Sequence, residues 1–299
     1  MDIGYTLGTF QYQSESEINQ LDDLPEQLKI NNISSCGVLL ELAMGKIQIL
    51  NRHGECLYSQ KTNYTKLPAV ETNDNLYDQF NELLNTNILD YACREICDKF
   101  LIYERKNNFV YEHILNELTQ YFVVNDVSPC EGFVHLYRTL EFMSYSFPLI
   151  YASKSRNYRG TYDSLKKFLG GDGSGELKFF EKFLNELFRD DIGYQFLFEV
   201  DIISENFEEL RVEFQEFFKV DIFSFEENVL LFKFKNIVEL FTEIRNRYFH
   251  MLLGKGKNNF FNMKYDKRDL FKSLNPVFVN WLVVIFVKII QHGLESFNS

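Results

Sequence analysis

Proline is scarce in this chain of 299 residues, with 5, and glycine is sparse at 15. Both shortages argue against a turn-rich β-sandwich, whose short strands need such punctuation, and favour helices. Basic charge is short as well: 31 Lys and Arg face 43 Asp and Glu, a formal net charge of −12. So acidic a chain does not attract nucleic acid as a whole, and any such contact needs a local basic patch. The five cysteines, Cys36, Cys56, Cys93, Cys97 and Cys130, form no disulfide or zinc-site pattern. Cys93 and Cys97 stand one helical turn apart with no histidine close in sequence, so buried free thiols in a reducing cytosol are expected. The opening residues MDIGYTLGTFQYQ have no basic start and no apolar run, so no signal peptide is read there. The most apolar stretch, PVFVNWLVVIFVKII at 276–290, contains Asn280 and Lys288 and falls short of the roughly 18–20 residues that cross a bilayer. A core helix in a cytoplasmic protein with no membrane partner is expected.

What the chain has in plenty is apolar and aromatic surface: 45% apolar residues, with 31 Phe and 17 Tyr. That is material for one large core or two modest ones. The acidity is uneven, with nine basic against nineteen acidic residues in 1–127 and twenty-two against twenty-four in 128–299. Residues 1–35 are polar and weakly patterned. In 37–60, GVLLELAMGKIQILNRHGECLYSQ, short apolar runs flank the turn-like NRHGE and predict two or three strands. After a loop at 61–75, helical spacing runs through 75–122, carried by Leu76, Phe80, Leu83, Leu84, Ile88, Tyr91, Ile96, Phe100, Ile114, Leu115 and Leu118. NDVSPCEG at 125–132 punctuates the chain and sets the expected boundary between an α+β region, 1–125, and a helical domain, 126–299. Within the latter, 130–151 is apolar on almost every side and reads as a buried helix that Pro148 bends or ends. Residues 152–175 read as a connector. Its GGDGSG lacks the following Lys-Ser/Thr and the preceding strand of a phosphate loop. Helices are expected over 176–198, 205–218 and 226–253, and the last one opens at Asn275-Pro276 as N-cap and first position. The expected fold is mainly α: a C-terminal bundle of four or five helices behind an N-terminal α+β region with a short hairpin or small sheet.

The stretch EIRNRYFHML, 243–252, carries the chemistry. On a helical wheel Glu239, Glu243, Asn246 and His250 share one stripe, with Asn236 and Arg247 at its edge. Ile237, Val238, Leu240, Phe241, Ile244, Tyr248, Phe249, Met251 and Leu252 make a broad opposing arc, and Arg245 falls inside it. A guanidinium there needs a partner, because an uncompensated buried charge is costly. His250 lies one turn after Asn246, so the amide can orient the imidazole. Histidine titrates near neutrality and suits proton transfer at a ribose 2′-hydroxyl or a leaving 5′-oxygen. Arginine's planar fork suits the phosphate between them. Such a site needs no metal and no cofactor, and it spares DNA, which lacks the 2′-hydroxyl.

At Arg245-Asn246-Arg247-Tyr248-Phe249-His250 the sequence resembles the HEPN superfamily of helical RNase toxins and antiviral defence effectors, over roughly 128–299. Their motif is an arginine, then four to six residues of which the first is often polar, then a histidine, and here the gap is four. The resemblance implies a HEPN-like helical bundle in which two protomers join their motifs into one composite ribonuclease site. It implies a metal-independent endoribonuclease in bacterial defence, with Arg245, Asn246 and His250 catalytic and RNA as substrate. It also implies a homodimer or higher homo-oligomer. The family often places an acidic residue on an earlier helix facing the motif. Glu141, in HLYRTLEFMSYS at 135–146, is the only acid between Glu131 and Asp163 and is the candidate partner of Arg245. An ordinary inter-helix salt bridge is an equal reading of Glu141 and is compatible with the first.

Two basic segments, 154–167 and 254–272, interleave Lys and Arg with Asn, Tyr and Phe, a composition that can hold single-stranded RNA or simply face water. Arg156, Arg159, Arg247, Lys255 and Lys257 are the candidate RNA contacts. His53, His113, His135 and His292 are scattered and read as structural or exposed, with His135 of interest for its closeness to Glu141 in sequence. By analogy with multidomain relatives of that superfamily, residues 1–125 read as a sensor or regulatory region. Two alternatives stand beside the nuclease: a non-catalytic HEPN-like dimerisation or adaptor protein, and a toxin held by a nucleotidyltransferase antitoxin that modifies a tyrosine such as Tyr248.

Overall fold

The computed structural model describes residues 4–14, 28, 34–65, 90–154, 158–169, 176–189, 197–204, 207–217, 223–249 and 268–298. The chain is mainly helical, with an α+β region at its N-terminal end. There β1 (Tyr5–Leu7), β2 (Phe10–Ser14), β3 (Ile47–Asn51) and β4 (Cys56–Gln60) form one antiparallel sheet in the order β1-β2-β3-β4. The pairing of Tyr12 with Ile49 turns both side chains inward, and the Tyr12 hydroxyl meets Thr119 Oγ1 at 2.9 Å. Strands β1 and β2 lie in the stretch read from sequence as weakly patterned.

Residues 37–44, read as a strand, are instead part of helix α1 (Ser35–Met44), which is buried on every side. A short helix with no exposed face has no amphipathic period, so its apolar run imitates a buried strand. Gly45 ends it at φ 78, and a Cβ there would come within 2.6 Å of the Lys61 backbone. Only glycine meets both demands.

Helix α2 (Asp90–Glu104) passes through a 3-10 turn, Arg105–Asn107, into α3 (Asn108–Val124). The punctuated stretch 125–132 makes the turn into α4 (Pro129–Ser153), which packs along α3. Buried residues before and after that turn belong to one hydrophobic cluster reaching from Phe10 to Leu294. Pro148 is buried inside α4, and the helix runs on past it to Ser153.

Then follow α5 (Tyr158–Leu169), α6 (Glu176–Leu187), β5 (Leu197–Asp201), α7 (Phe207–Phe217), β6 (Phe223–Glu226) and β7 (Val229–Lys233). A 3-10 turn, Phe234–Asn236, leads into α8 (Ile237–Phe249), and α9 (Arg268–Asn298) follows. Strands β5, β7 and β6 form a second antiparallel sheet. It corrects the expected all-helical C-terminal half: parts of 176–198 and 226–253 are strands.

The start of the last helix is also corrected. It opens at Arg268, and Pro276 lies inside it. Asn275 does not cap it: its amide nitrogen donates to Asn125 Oδ1 at 2.7 Å and to the Pro129 carbonyl at 2.8 Å, pinning the α3–α4 turn. With those extra residues the stretch is long and apolar enough to cross a membrane, yet 78% of its most apolar window is buried within the fold. It is the central core helix, with Trp281, Phe278 and Phe271 fully enclosed.

Candidate functional site

The position of α8 is fixed by aromatic packing. Phe241 stacks on Phe133 of α4 at 5.2 Å and lies 3.9 Å from the Phe278 ring of α9. Tyr137, one turn on from Phe133, reaches the same Phe241 ring at 6.2 Å. Contacts therefore climb α4 and α8 together, from Phe133 and Phe241 at one level to Tyr137, Glu141 and Arg245 at the next. Arg245, one turn beyond Phe241, thus meets Tyr137 and Glu141, one and two turns beyond Phe133.

Arg245 occupies that next level. Its guanidinium lies over the Tyr137 ring, 5.0 Å from the centroid. Its Nη2 is 3.9 Å from Glu141 Oε1, and its Nη1 donates to Asn246 Oδ1 at 3.1 Å. The Glu141 contact is an ion pair too long for a hydrogen bond. The pair is not sealed in: the Arg245 side chain is 29% exposed and that of Glu141 45%. Arg245 thus sits at the rim of the apolar arc, where Ile237, Leu240, Phe241 and Ile244 are buried and the tyrosine face takes the place of an apolar neighbour. A half-buried guanidinium held this way can take a phosphate oxygen without first losing a full hydration shell.

Of the residues expected to form the site, the structure brings together Arg245, Asn246 and Glu141. Asn246 differs in detail from its expected role, because its amide oxygen serves Arg245. His250 lies outside the described residues, as do Lys255, Lys257 and Arg156 and the side chain of Arg247. Arg159 is exposed on α5, together with Tyr162 and Lys166. Lys154, in the basic segment 154–167, is buried against Glu104 and faces no solvent. Tyr137 is the contributor that the sequence does not single out, one turn before Glu141 on the same helix.

The other histidines have separate duties. His135 Nδ1 pairs with Glu117 Oε2 at 2.7 Å, about a third of a turn around α4 from Glu141. His113 stacks on Phe142 at 4.5 Å. His292 stacks on Tyr151 at 4.1 Å, and burial, with the nearby Lys154 charge, pushes its pKa down to about 4. His53 is exposed at the β3–β4 hairpin tip. Cys36 and Cys97 are buried free thiols, but Cys56 is exposed and Cys130 half-buried, against the expectation of uniform burial; the side chain of Cys93 lies outside the described residues. Burial pushes the Cys36 thiol pKa well up, which makes it unreactive. Among the described residues no group of three His, Cys, Asp or Glu side chains is placed to hold a metal ion. Comparisons with protein-family models, with curated proteins and with solved structures each return no match.

Proposed function

We propose that this chain is a metal-independent endoribonuclease of the HEPN type, cytoplasmic and acting in bacterial antiviral defence or as a toxin. The observation that carries the reading is Arg245: a solvent-reachable guanidinium cradled by Tyr137, Asn246 and Glu141, on the helix that leads directly to His250. The ribose 2′-oxygen attacks the adjacent phosphorus while His250 takes its proton. The bond from phosphorus to the 5′-oxygen breaks, and that oxygen is protonated as it leaves. Arg245 holds the phosphate as charge builds on its free oxygens. Asn246 and Glu141 keep the guanidinium oriented. Products are a 2′,3′-cyclic phosphate and a 5′-hydroxyl, and no water is consumed. In the family it resembles, two copies meet to complete the site, so the proposal includes a homodimer. Regulation by residues 1–125, by a partner protein or by an antitoxin belongs to the same reading.

The test is cleavage of a single-stranded RNA by the purified full chain in EDTA. Wild type is expected to cut and to leave cyclic-phosphate ends, while His250→Ala and Arg245→Ala each lose at least about a hundredfold in rate with unchanged circular dichroism. Equal cleavage by wild type and His250→Ala defeats the proposal. RNA binding with no cleavage by wild type identifies the adaptor instead.

A further inference from the structure

The ridge of α4 that carries Glu141 turns, at its next residue, into an open aromatic surface. Phe142 lies half-buried with its ring nearly parallel to the imidazole of His113 on α3, 4.5 Å between centroids and 28° between planes. Phe109, one turn before His113, sits 5.0 Å from that imidazole and 6.2 Å, edge-on, from Phe142. Phe109 is 65% exposed and lies outside the core cluster, so internal packing does not account for its ring. Arg138, one turn before Phe142, is exposed on the same side of α4. Carboxylates on these two helices are engaged: Glu112, beside His113, accepts from Asn108 at 2.6 Å, Glu117 pairs with His135 and Glu141 with Arg245. The surface therefore presents flat rings and a guanidinium rather than a field of acid.

We propose that Phe109, His113 and Phe142 form a stacking shelf for an unpaired base of single-stranded RNA, with Arg138 on the adjoining phosphate. The shelf rests on the reading of Arg245 as the phosphate-holding centre and specifies what that centre takes. Aromatic faces hold unpaired bases with about 1–3 kcal/mol each and little sequence preference. A duplex keeps its base faces stacked inside and cannot use such a shelf. Glu141 and Phe142 are consecutive and diverge by about 100° around the helix, so their tips lie on the order of 10 Å apart and one strand can span both. Three partly covered rings offer on the order of 200–300 Å², below the roughly 800 Å² per partner of a stable protein interface and in keeping with one or two bases.

The experiment measures affinity of the full chain for a fluorescent single-stranded oligoribonucleotide, 2′-O-methylated so that it is not cut. Phe109→Ala and Arg138→Ala are expected to weaken binding about 5- to 100-fold, Phe109→Trp to restore it, and a duplex of the same sequence to bind poorly. An abasic strand of equal length should bind wild type and Phe109→Ala alike. The exposure of Phe109 makes its replacement harmless to the fold, which circular dichroism verifies. If Phe109→Ala binds like wild type while Arg245→Ala does not, the shelf is overturned and the Arg245 reading stands. If Phe109→Ala weakens binding and Arg245→Ala leaves it unchanged, the shelf stands and the Arg245 reading falls. Wild type that does not retain the single strand overturns both. Sedimentation in which Phe109→Ala dissociates an oligomer, at unchanged RNA affinity, reassigns the patch to a protein interface and overturns the shelf.

Discussion

Arg245 draws on three different neighbours: a π-face, an amide oxygen and a carboxylate. The tyrosine face can be tested by two substitutions. Under the proposed ribonuclease activity, Tyr137→Phe keeps the ring under the guanidinium and should cleave RNA like wild type. Tyr137→Leu removes the ring and should lower kcat/KM by about 3- to 30-fold, as the loss of about 0.5–2 kcal/mol of cation–π attraction implies. The Glu141 partnership was legible in the sequence because Glu141 is a lone acid in a long apolar stretch. Tyr137 was not, because in a chain of 16% aromatic residues one more tyrosine carries no signal. His292 yields a second expectation at this scale. Its pKa falls from 6.5 to about 4 on folding, burial being the larger cause and the Lys154 charge the next. The unfolded chain therefore binds the proton first as pH drops. The contribution of His292 is intact above about pH 6.5 and is lost progressively toward pH 4, up to about 3 kcal/mol. His292→Phe keeps a ring against Tyr151 and removes the titration. Its urea midpoint should fall less than that of wild type between pH 6.5 and 4.

Among the elements, the second sheet is where sequence periodicity misled. Strand β7 is the middle of three, and Leu230, Leu231 and Phe232 are all buried, so it shows no alternation and reads as part of a helix. The turn before it has its own signature. Glu227 sits at φ 52, a conformation that disfavours most L-residues and suits asparagine. Glu227→Asn should stabilise the chain by about 0.5–1 kcal/mol, read as a rise in urea midpoint at constant slope. The Asn-Pro at 275–276 misled for a related reason. As a local signal it announces a helix start, but Leu270, Phe271 and Leu274 bury themselves in the core and carry the helix upstream. Tertiary burial decides such cases, and no local window contains it. The amphipathic pattern of α8, by contrast, was visible in the sequence: Ile237, Val238, Leu240, Phe241 and Ile244 are all buried in one core.

At the scale of the whole molecule, a buried ion pair joins parts of the chain 50 residues apart. Lys154, at the end of α4, meets Glu104, at the end of α2, with both side chains almost wholly enclosed. Glu104 also accepts from Tyr111 and, at 3.0 Å, from Asn107, and Lys154 lies 4.8 Å over the Phe100 ring. Breaking one side leaves an uncompensated charge in the interior. Lys154→Met or Glu104→Leu alone should each lose about 3–5 kcal/mol, and the double variant much less than their sum, in a double-mutant cycle by urea unfolding.

Helix α9 comes late in the chain, yet Phe271, Phe278 and Trp281 complete the aromatic centre that Phe133 and Phe241 begin. A ribosome that stops before residue 268 therefore releases a polypeptide with its oily heart open and without the ring that Phe241 packs against beneath Arg245. Under the ribonuclease activity proposed above, such truncated chains are expected to leave RNA uncut.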